Sequence, residues 1–112
     1  MTTLASLETP CLILDRGRLE RNAARMTGRY AGTGVKLRPH MKTAKSIDVA
    51  RIALAGNFGG ITVSTLKEAE YFADHGIDDI TYAVGLVPEK LPRVARLIRR
   101  GVRLGAITDS RA

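Results

Sequence analysis

The stretch LRPHMKTAK, residues 37–45, places three cations and a histidine within nine positions. Arg38, His40 and Lys42 stand at alternate positions, and residues i, i+2 and i+4 of a strand share one face. A lysine held in a cation-rich pocket of low dielectric has its pKa lowered, and the neutral amine is the form that Schiff-base chemistry requires. The alternative is a solvated strand end, and the spacing alone leaves both interpretations open.

Alternating strand-like and helix-like segments surround this stretch. The segments that predict strands are TPCLILD, VKLRPHM, GGITVS, IDDITYAV and VRLGAIT. The segments that predict helices are residues 16–31, 43–55, 66–76 and 91–101, in which apolar residues recur at spacings of three and four. The predicted order is therefore β-α-β-α-β-α-β-α-β, which is typical of parallel sheets built from βαβ units.

Single residues mark the ends of these elements. Asp15 is predicted to cap the first helix, and Thr65 with Glu68 fits the T-x-x-E capping box of the third. Gly76 is predicted to end that helix in a left-handed conformation. Cys11, in the apolar run CLIL, is predicted to be a small buried core residue.

Two architectures fit this order of elements. One is a complete five-stranded doubly wound domain of flavodoxin type. The other is part of a (β/α)8 barrel, a fold that usually needs about 250 residues. No helix follows the last predicted strand, which favours the barrel. In either architecture active groups gather at the carboxyl ends of the strands, where Lys42 is predicted to lie.

Composition and charge narrow the function classes. No apolar run approaches the roughly 18 residues that a membrane span needs, and no secretory leader is recognised. A single cysteine fits a reducing cytoplasm. The net charge of +7 brings nucleic acid into consideration, but 13 of the 18 cations are arginines, many at helical spacing. No aromatic residues interleave with them as a base-stacking surface would require.

Three segments together resemble a known family. TPCLILD, RLERNAARM and VKLRPHMKTAK resemble the N-terminal part of fold-type III pyridoxal-phosphate enzymes, the alanine racemase-like barrels. The resemblance is nearest to the D-threonine aldolase and D-serine dehydratase family, whose hallmark R-P-H-x-K-T-x-K is matched by residues 38–45. Residues 60–83 resemble the next two units of the family, so the resemblance covers nearly all 112 residues.

The resemblance implies roles for individual residues. Lys42 would form the Schiff base with pyridoxal 5'-phosphate, and His40 and Arg38 would contribute to the cofactor site. Lys45 is interpreted as a solvent-facing or supporting cation inside the start of the second helix. Helix capping is a sufficient explanation for Ser64 and Thr65.

The resemblance also implies an activity, a lyase acting on D-β-hydroxy amino acids by aldol cleavage or dehydration. The family uses a divalent metal whose ligands lie in a C-terminal β domain, and this chain offers no such ligands. That domain also pairs with the opening strand in related barrels, so CLIL is expected to lack its partner here. Residues 1–112 are thus predicted to be a partial barrel domain, inactive alone and cytoplasmic, with homodimerisation expected at full length.

Three rival functions remain open. A noncatalytic pyridoxal-phosphate protein of cofactor homeostasis would use the same Lys42. An amino-acid racemase on the same fold would need a second base from elsewhere. A basic nucleic-acid-binding module would rest on RLIRRGVR and the net charge, and would bind DNA or RNA with strong salt dependence.

Overall fold

A computed structural model describes residues 2–109 of the chain. Its three-stranded parallel sheet has the order β1-β2-β3, with β1 at Ile61–Val63, β2 at Asp79–Gly85 and β3 at Arg103–Ile107. Its α-helices are α1 (Arg16–Tyr30), α2 (Ile47–Leu54), α3 (Leu66–Asp74) and α4 (Leu91–Arg99). Short 3-10 turns occupy Leu4–Ser6 and Pro88–Lys90. Because α3 and α4 connect successive parallel strands, the predicted βαβ pattern is confirmed for this part of the chain.

One face of the sheet carries the core. Along β1 and β2, Ile61, Val63, Ile80 and Tyr82 are buried, whereas the alternate residues are only partly covered. The buried strand residues form one cluster with apolar residues of the helices, among them Phe72 of α3. The opposite face carries the polar alternate residues of these strands, among them Thr62 and Thr81.

The predicted strand VKLRPHM is largely extended coil. It joins the sheet through one parallel bridge between His40 and Thr62. Two backbone hydrogen bonds make this junction, from the Met41 amide to the Thr62 carbonyl (2.8 Å) and from the Thr62 amide to the Pro39 carbonyl (2.9 Å). Pro39 accepts a hydrogen bond through its carbonyl but has no N–H to donate, so the ladder of hydrogen bonds is short at this position. The segment nevertheless lies beside β1 in the predicted orientation.

The predicted first strand is wrong for the described part of the chain. Residues 11–14 form no strand among residues 2–109, and Leu12, Ile13 and Leu14 are exposed. Cys11 is exposed as well, so its predicted burial is wrong too. The physical reason is that no described strand lies beside this segment. This exposure is what the sequence interpretation expected of an opening strand without its partner.

Helix ends follow the predicted signals closely. Asp15 caps α1 by accepting a hydrogen bond from the Arg18 amide (2.9 Å), as predicted. Gly76 adopts φ +88° after α3, and the Ile77 amide donates to the Phe72 carbonyl, which completes the predicted left-handed cap. These agreements arise because caps depend on neighbours within one helical turn.

The second helix begins later than predicted, at Ile47 rather than Thr43. Residues 42–44 form a turn, and Lys45 has the left-handed φ of +45°, so it precedes α2 instead of starting it. Non-glycine residues in this region are uncommon. The turn therefore sets Lys42 apart from the helix, at the end of the extended segment.

Among the residues described, no helix is both long enough and apolar enough to cross a bilayer.

Candidate functional site

Lys42 lies at the carboxyl edge of the parallel sheet. It follows the extended segment that bridges to β1, and its side chain is exposed. Within residues 2–109 its amine takes part in no ion pair or side-chain hydrogen bond. Lys42 is thus exposed rather than enclosed in the pocket of low dielectric that its neighbours in sequence suggested. An unpaired primary amine at this edge is a group that can react with a carbonyl.

His40 stands beside Lys42 and contacts two partners. Its Nδ1 accepts a hydrogen bond from the Lys42 backbone amide at 3.2 Å. Its Nε2 lies 3.4 Å from the Ser64 hydroxyl oxygen. The structure therefore brings His40 and Lys42 together, as predicted, and adds Ser64 from the end of β1.

The junction between β1 and α3 supports this edge. Thr65 caps α3 by accepting a hydrogen bond from the Glu68 amide (3.0 Å), which is half of the predicted capping box. The Glu68 carboxylate instead accepts from the amide of Ser64 (2.8 Å). Its other oxygen pairs with the Lys45 ammonium at 3.3 Å. Lys45, predicted to be a solvent-facing or supporting cation, is thus the partner of a buried carboxylate.

Glu68 is the buried charged residue of the described core, with only 7% of its surface exposed. Burial by itself raises the pKa of Glu68, but the Ser64 amide, the bond and charge of Lys45, and the Thr65 amide together outweigh it. The pKa of this carboxyl therefore lies below its ordinary value, and Glu68 is ionised at neutral pH.

Arg38 lies at the opposite edge of the sheet. Its Nη1 pairs with Asp79, the first residue of β2, at 2.7 Å, and also donates to the carbonyls of Ile61 and Asp79. The guanidinium stacks on Phe58, 4.9 Å from the ring centroid. The structure thus does not bring Arg38 together with Lys42, although alternate positions predicted a common face. The two share a face but occupy different ends of the segment.

The hydrogen bond from Arg38 lowers the pKa of Asp79. Burial opposes this shift, and the charges of Arg38, Arg103 and Lys36 reinforce it. Asp79 is also 3.3 Å from the Arg103 guanidinium, its neighbour in the β2–β3 register. One carboxylate therefore holds two arginines at the amino-terminal edge.

Sequence reasoning missed the roles of two residues, Ser64 and Glu68. Helix capping was taken as sufficient for Ser64, but the cap of α3 is Thr65, and the Ser64 hydroxyl contacts His40 instead. The signal that could have found it is positional. Ser64 follows β1 directly, at the strand edge where Lys42 was already predicted to lie.

No group of three or more histidine, cysteine or acidic side chains in residues 2–109 could hold a metal ion.

The family model described as "Alanine racemase, N-terminal domain" matches residues 14–105. A D-threo-3-hydroxyaspartate dehydratase of Delftia sp. is 51% identical over 108 residues, or 96% of this chain and 28% of that enzyme. A D-serine dehydratase of Dictyostelium discoideum is 34% identical, covering 94% and 28%. A D-threonine aldolase of Arthrobacter sp. is 36% identical, covering 86% and 26%. The chain spans about 28% of the length of the first of these relatives.

A solved structure of a D-threo-3-hydroxyaspartate dehydratase variant, in a metal-free form, matches with a TM-score of 0.92 at 50% identity. The match covers 98% of this chain and 29% of that structure. It confirms the predicted barrel architecture, and the doubly wound alternative is rejected. The parallel sheet and its helices correspond to the N-terminal part of an alanine racemase-like barrel. The chain therefore belongs to the alanine racemase N-terminal domain family.

Proposed function

We propose that this chain supplies the cofactor-binding lysine, Lys42, of a pyridoxal-phosphate-dependent lyase that acts on D-β-hydroxy amino acids. One observation carries the proposal. Among residues 2–109 the amine of Lys42, the lysine of the R-P-H-x-K-T motif, has no partner at the carboxyl edge of the sheet, whereas Lys45 pairs with Glu68. The relatives named as dehydratases and an aldolase supply the reaction class.

Lys42 and its neighbours fit pyridoxal phosphate at the point where the cofactor would be attached, the Lys42 amine. The family is generally pyridoxal-phosphate-dependent, and Lys42 is exposed with its amine available for a covalent bond to the aldehyde carbon. His40 lies next to it and is part of the proposed site. When bound, the cofactor supplies an electron sink for the electron pair released at the substrate α-carbon. The cofactor role predicted for Arg38 stays a prediction, because its guanidinium is occupied by Asp79 at the other edge.

Of the two lyase reactions, dehydration is the one we favour. The dehydratase relative is 51% identical to the chain, against 36% for the D-threonine aldolase. In dehydration the Lys42 amine would take the α-proton, and the β-hydroxyl group would leave as water together with a proton. The products after hydrolysis would be a 2-oxo acid and ammonia. Aldol cleavage would instead remove the β-hydroxyl proton and give glycine and an aldehyde.

A divalent metal near the substrate β-hydroxyl is part of the proposal, in line with the relative solved in a metal-free form. Residues 2–109 hold no cluster suited to bind it, so its ligands would come from residues outside this range.

The test uses a chimera in which this chain replaces the matching segment of the Delftia dehydratase, since the two are 51% identical over that segment. Pyridoxal phosphate is added to the chimera, its lysine-bound visible absorption is recorded, and the bond is reduced with borohydride and mapped to a peptide. We expect the bond at Lys42, its loss in Lys42→Ala, and its retention in the matched control Lys45→Ala.

The same chimera separates the reactions. Release of a 2-oxo acid and ammonia from D-threo-3-hydroxyaspartate supports dehydration, and release of glycine identifies an aldolase. A reduced cofactor bond at another lysine, with Lys42→Ala unaffected, would refute the assignment of Lys42.

A further inference from the structure

We propose that Ser64 is a positioning residue that acts through His40 to fix the turn presenting Lys42. The consequence for catalysis rests on the proposed function, whereas the hydrogen-bonding arrangement stands on the geometry alone.

The protonation of His40 follows from its partners. The Lys42 backbone amide can only donate, so the His40 Nδ1 that faces it at 3.2 Å must be unprotonated. A neutral imidazole then carries its proton on Nε2. In this tautomer the Nε2–H can donate a hydrogen bond to the Ser64 hydroxyl oxygen, which lies 3.4 Å from Nε2. The Lys42 amide thus sets the tautomer of His40, and the Ser64 hydroxyl holds the ring in the orientation in which Nδ1 faces that amide.

Ser64 is itself held in place by Glu68. The amide of Ser64 donates to one oxygen of the buried carboxylate at 2.8 Å, and the other oxygen pairs with Lys45 at 3.3 Å. The Lys45 amide in turn donates to the Met41 carbonyl at 3.0 Å, which closes the turn from the other side. The hydrogen bonds and the ion pair therefore tie both ends of the turn at residues 41–45 to the β1–α3 junction.

Two observations separate this role from ordinary helix capping. Thr65 already caps α3 with its own hydroxyl, so the Ser64 hydroxyl is not needed for that purpose. Lys45 also keeps an uncommon left-handed φ of +45° while its side chain reaches Glu68. Because the turn is held from both sides, the backbone from which the Lys42 side chain extends has a fixed position.

The first test reads the tautomer of His40 by long-range ¹H–¹⁵N NMR in the 112-residue chain without cofactor. We expect the wild type to show an unprotonated Nδ1 and a protonated Nε2. Ser64→Ala removes the contact that orients the ring, so the bond to the Lys42 amide is expected to be lost more often and the balance to shift toward the other tautomer, and Ser64→Thr is expected to restore it. Ser46→Ala is the matched control, because Ser46 lies beside the same turn and its side chain makes no capping hydrogen bond.

The second test measures kinetics in the chimera. Losing a neutral hydrogen bond of roughly 0.5–1.5 kcal/mol corresponds to about a 2- to 13-fold change. We expect Ser64→Ala to lower kcat and the rate of cofactor attachment by that factor with KM nearly unchanged, and Ser64→Thr to recover both. A protonated Nδ1 in the wild type, or a tautomer balance that Ser64→Ala leaves unchanged, would overturn the proposal. Cofactor attachment in Lys42→Ala would refute the proposed function while leaving the tautomer result intact.

Discussion

Two lysines three positions apart, Lys42 and Lys45, have opposite surroundings. The amine of Lys42 is unpaired within residues 2–109, whereas Lys45 pairs with a buried carboxylate. Lys45 has a left-handed φ, and its side chain reaches Glu68 at the β1–α3 junction. At the scale of single residues, the structure thus separates a reactive candidate from a supporting cation.

Glu68 permits a prediction at the same scale. Its pKa is lowered from 4.5 in the folded chain, so its contribution to the free energy of unfolding is complete above about pH 4.5 and is lost as the pH falls through the lower folded value. Glu68→Gln is expected to reduce stability at neutral pH by about 1–3 kcal/mol. Glutamine keeps an oxygen that can accept from the Ser64 amide, so this bond changes from charge-assisted to neutral. The lost attraction to Lys45 adds less, because Lys45 is 60% exposed and solvent screens its charge.

Urea denaturation of wild type and Glu68→Gln across the acid range checks this prediction. The two stability curves should converge as the pH falls below about 4.5. Glu8→Gln is the control, since Glu8 is exposed. A constant difference between the curves at every pH would contradict the assignment of ionised Glu68.

At the scale of elements, the close approach of the 38–40 segment to β1 depends on Gly60. A Cβ at this position would lie 2.5 Å from the Phe58 ring and 2.6 Å from Arg38 Nη1. The Arg38 guanidinium lies over the Phe58 ring and also forms the ion pair with Asp79. Gly60 therefore makes room for the contacts that join the extended segment to the sheet.

Gly60→Ala is expected to destabilise the chain by about 1–3 kcal/mol, because it overpacks this contact. Gly105→Ala is the matched control, since its Cβ would lie 3.7 Å from the Thr81 hydroxyl, an ordinary contact. Thermal unfolding of both variants gives the comparison. Equal melting temperatures for Gly60→Ala and the wild type would show that Phe58 and Arg38 move aside freely.

At the scale of the whole molecule, the buried core lies between the sheet and its helices and does not include the segment at residues 11–14. Phe72 and the buried strand residues pack between the sheet and the helices, whereas Leu12 is fully exposed and its neighbours Ile13 and Leu14 are largely so. The free energy of folding of this chain therefore comes from the β1–β3 region and its helices, and the segment at residues 11–14 contributes little.

Leu12→Ala is expected to change the free energy of unfolding of the 112-residue chain by less than about 0.5 kcal/mol, as is usual for exposed positions. Phe72→Ala is expected to reduce it by about 3–5 kcal/mol. Urea titrations at several protein concentrations measure both values. A loss of several kcal/mol in Leu12→Ala would mean that this segment is covered in solution, and a concentration dependence would identify a second copy as the cover.

The sequence by itself determined the features that depend on near neighbours. The Asp15 and Thr65 caps, the left-handed Gly76, and the alternation of strands and helices all follow from residues a few positions apart. The R-P-H-x-K-T string likewise predicted Lys42 as the reactive amine, because its members are consecutive residues whose resemblance to the family can be read from the sequence.

Only the tertiary structure decided which distant groups meet. Arg38 finds its partner 41 residues away in Asp79, at the opposite edge of the sheet from Lys42. Glu68 reaches Ser64 and Lys45 rather than completing the predicted capping box with Thr65. Such partners depend on strand register and helix packing, which no spacing along a single segment encodes. The same reason explains the wrong prediction for Cys11. Its apolar neighbours in sequence predicted burial, but burial requires a neighbouring strand, and Cys11 is exposed.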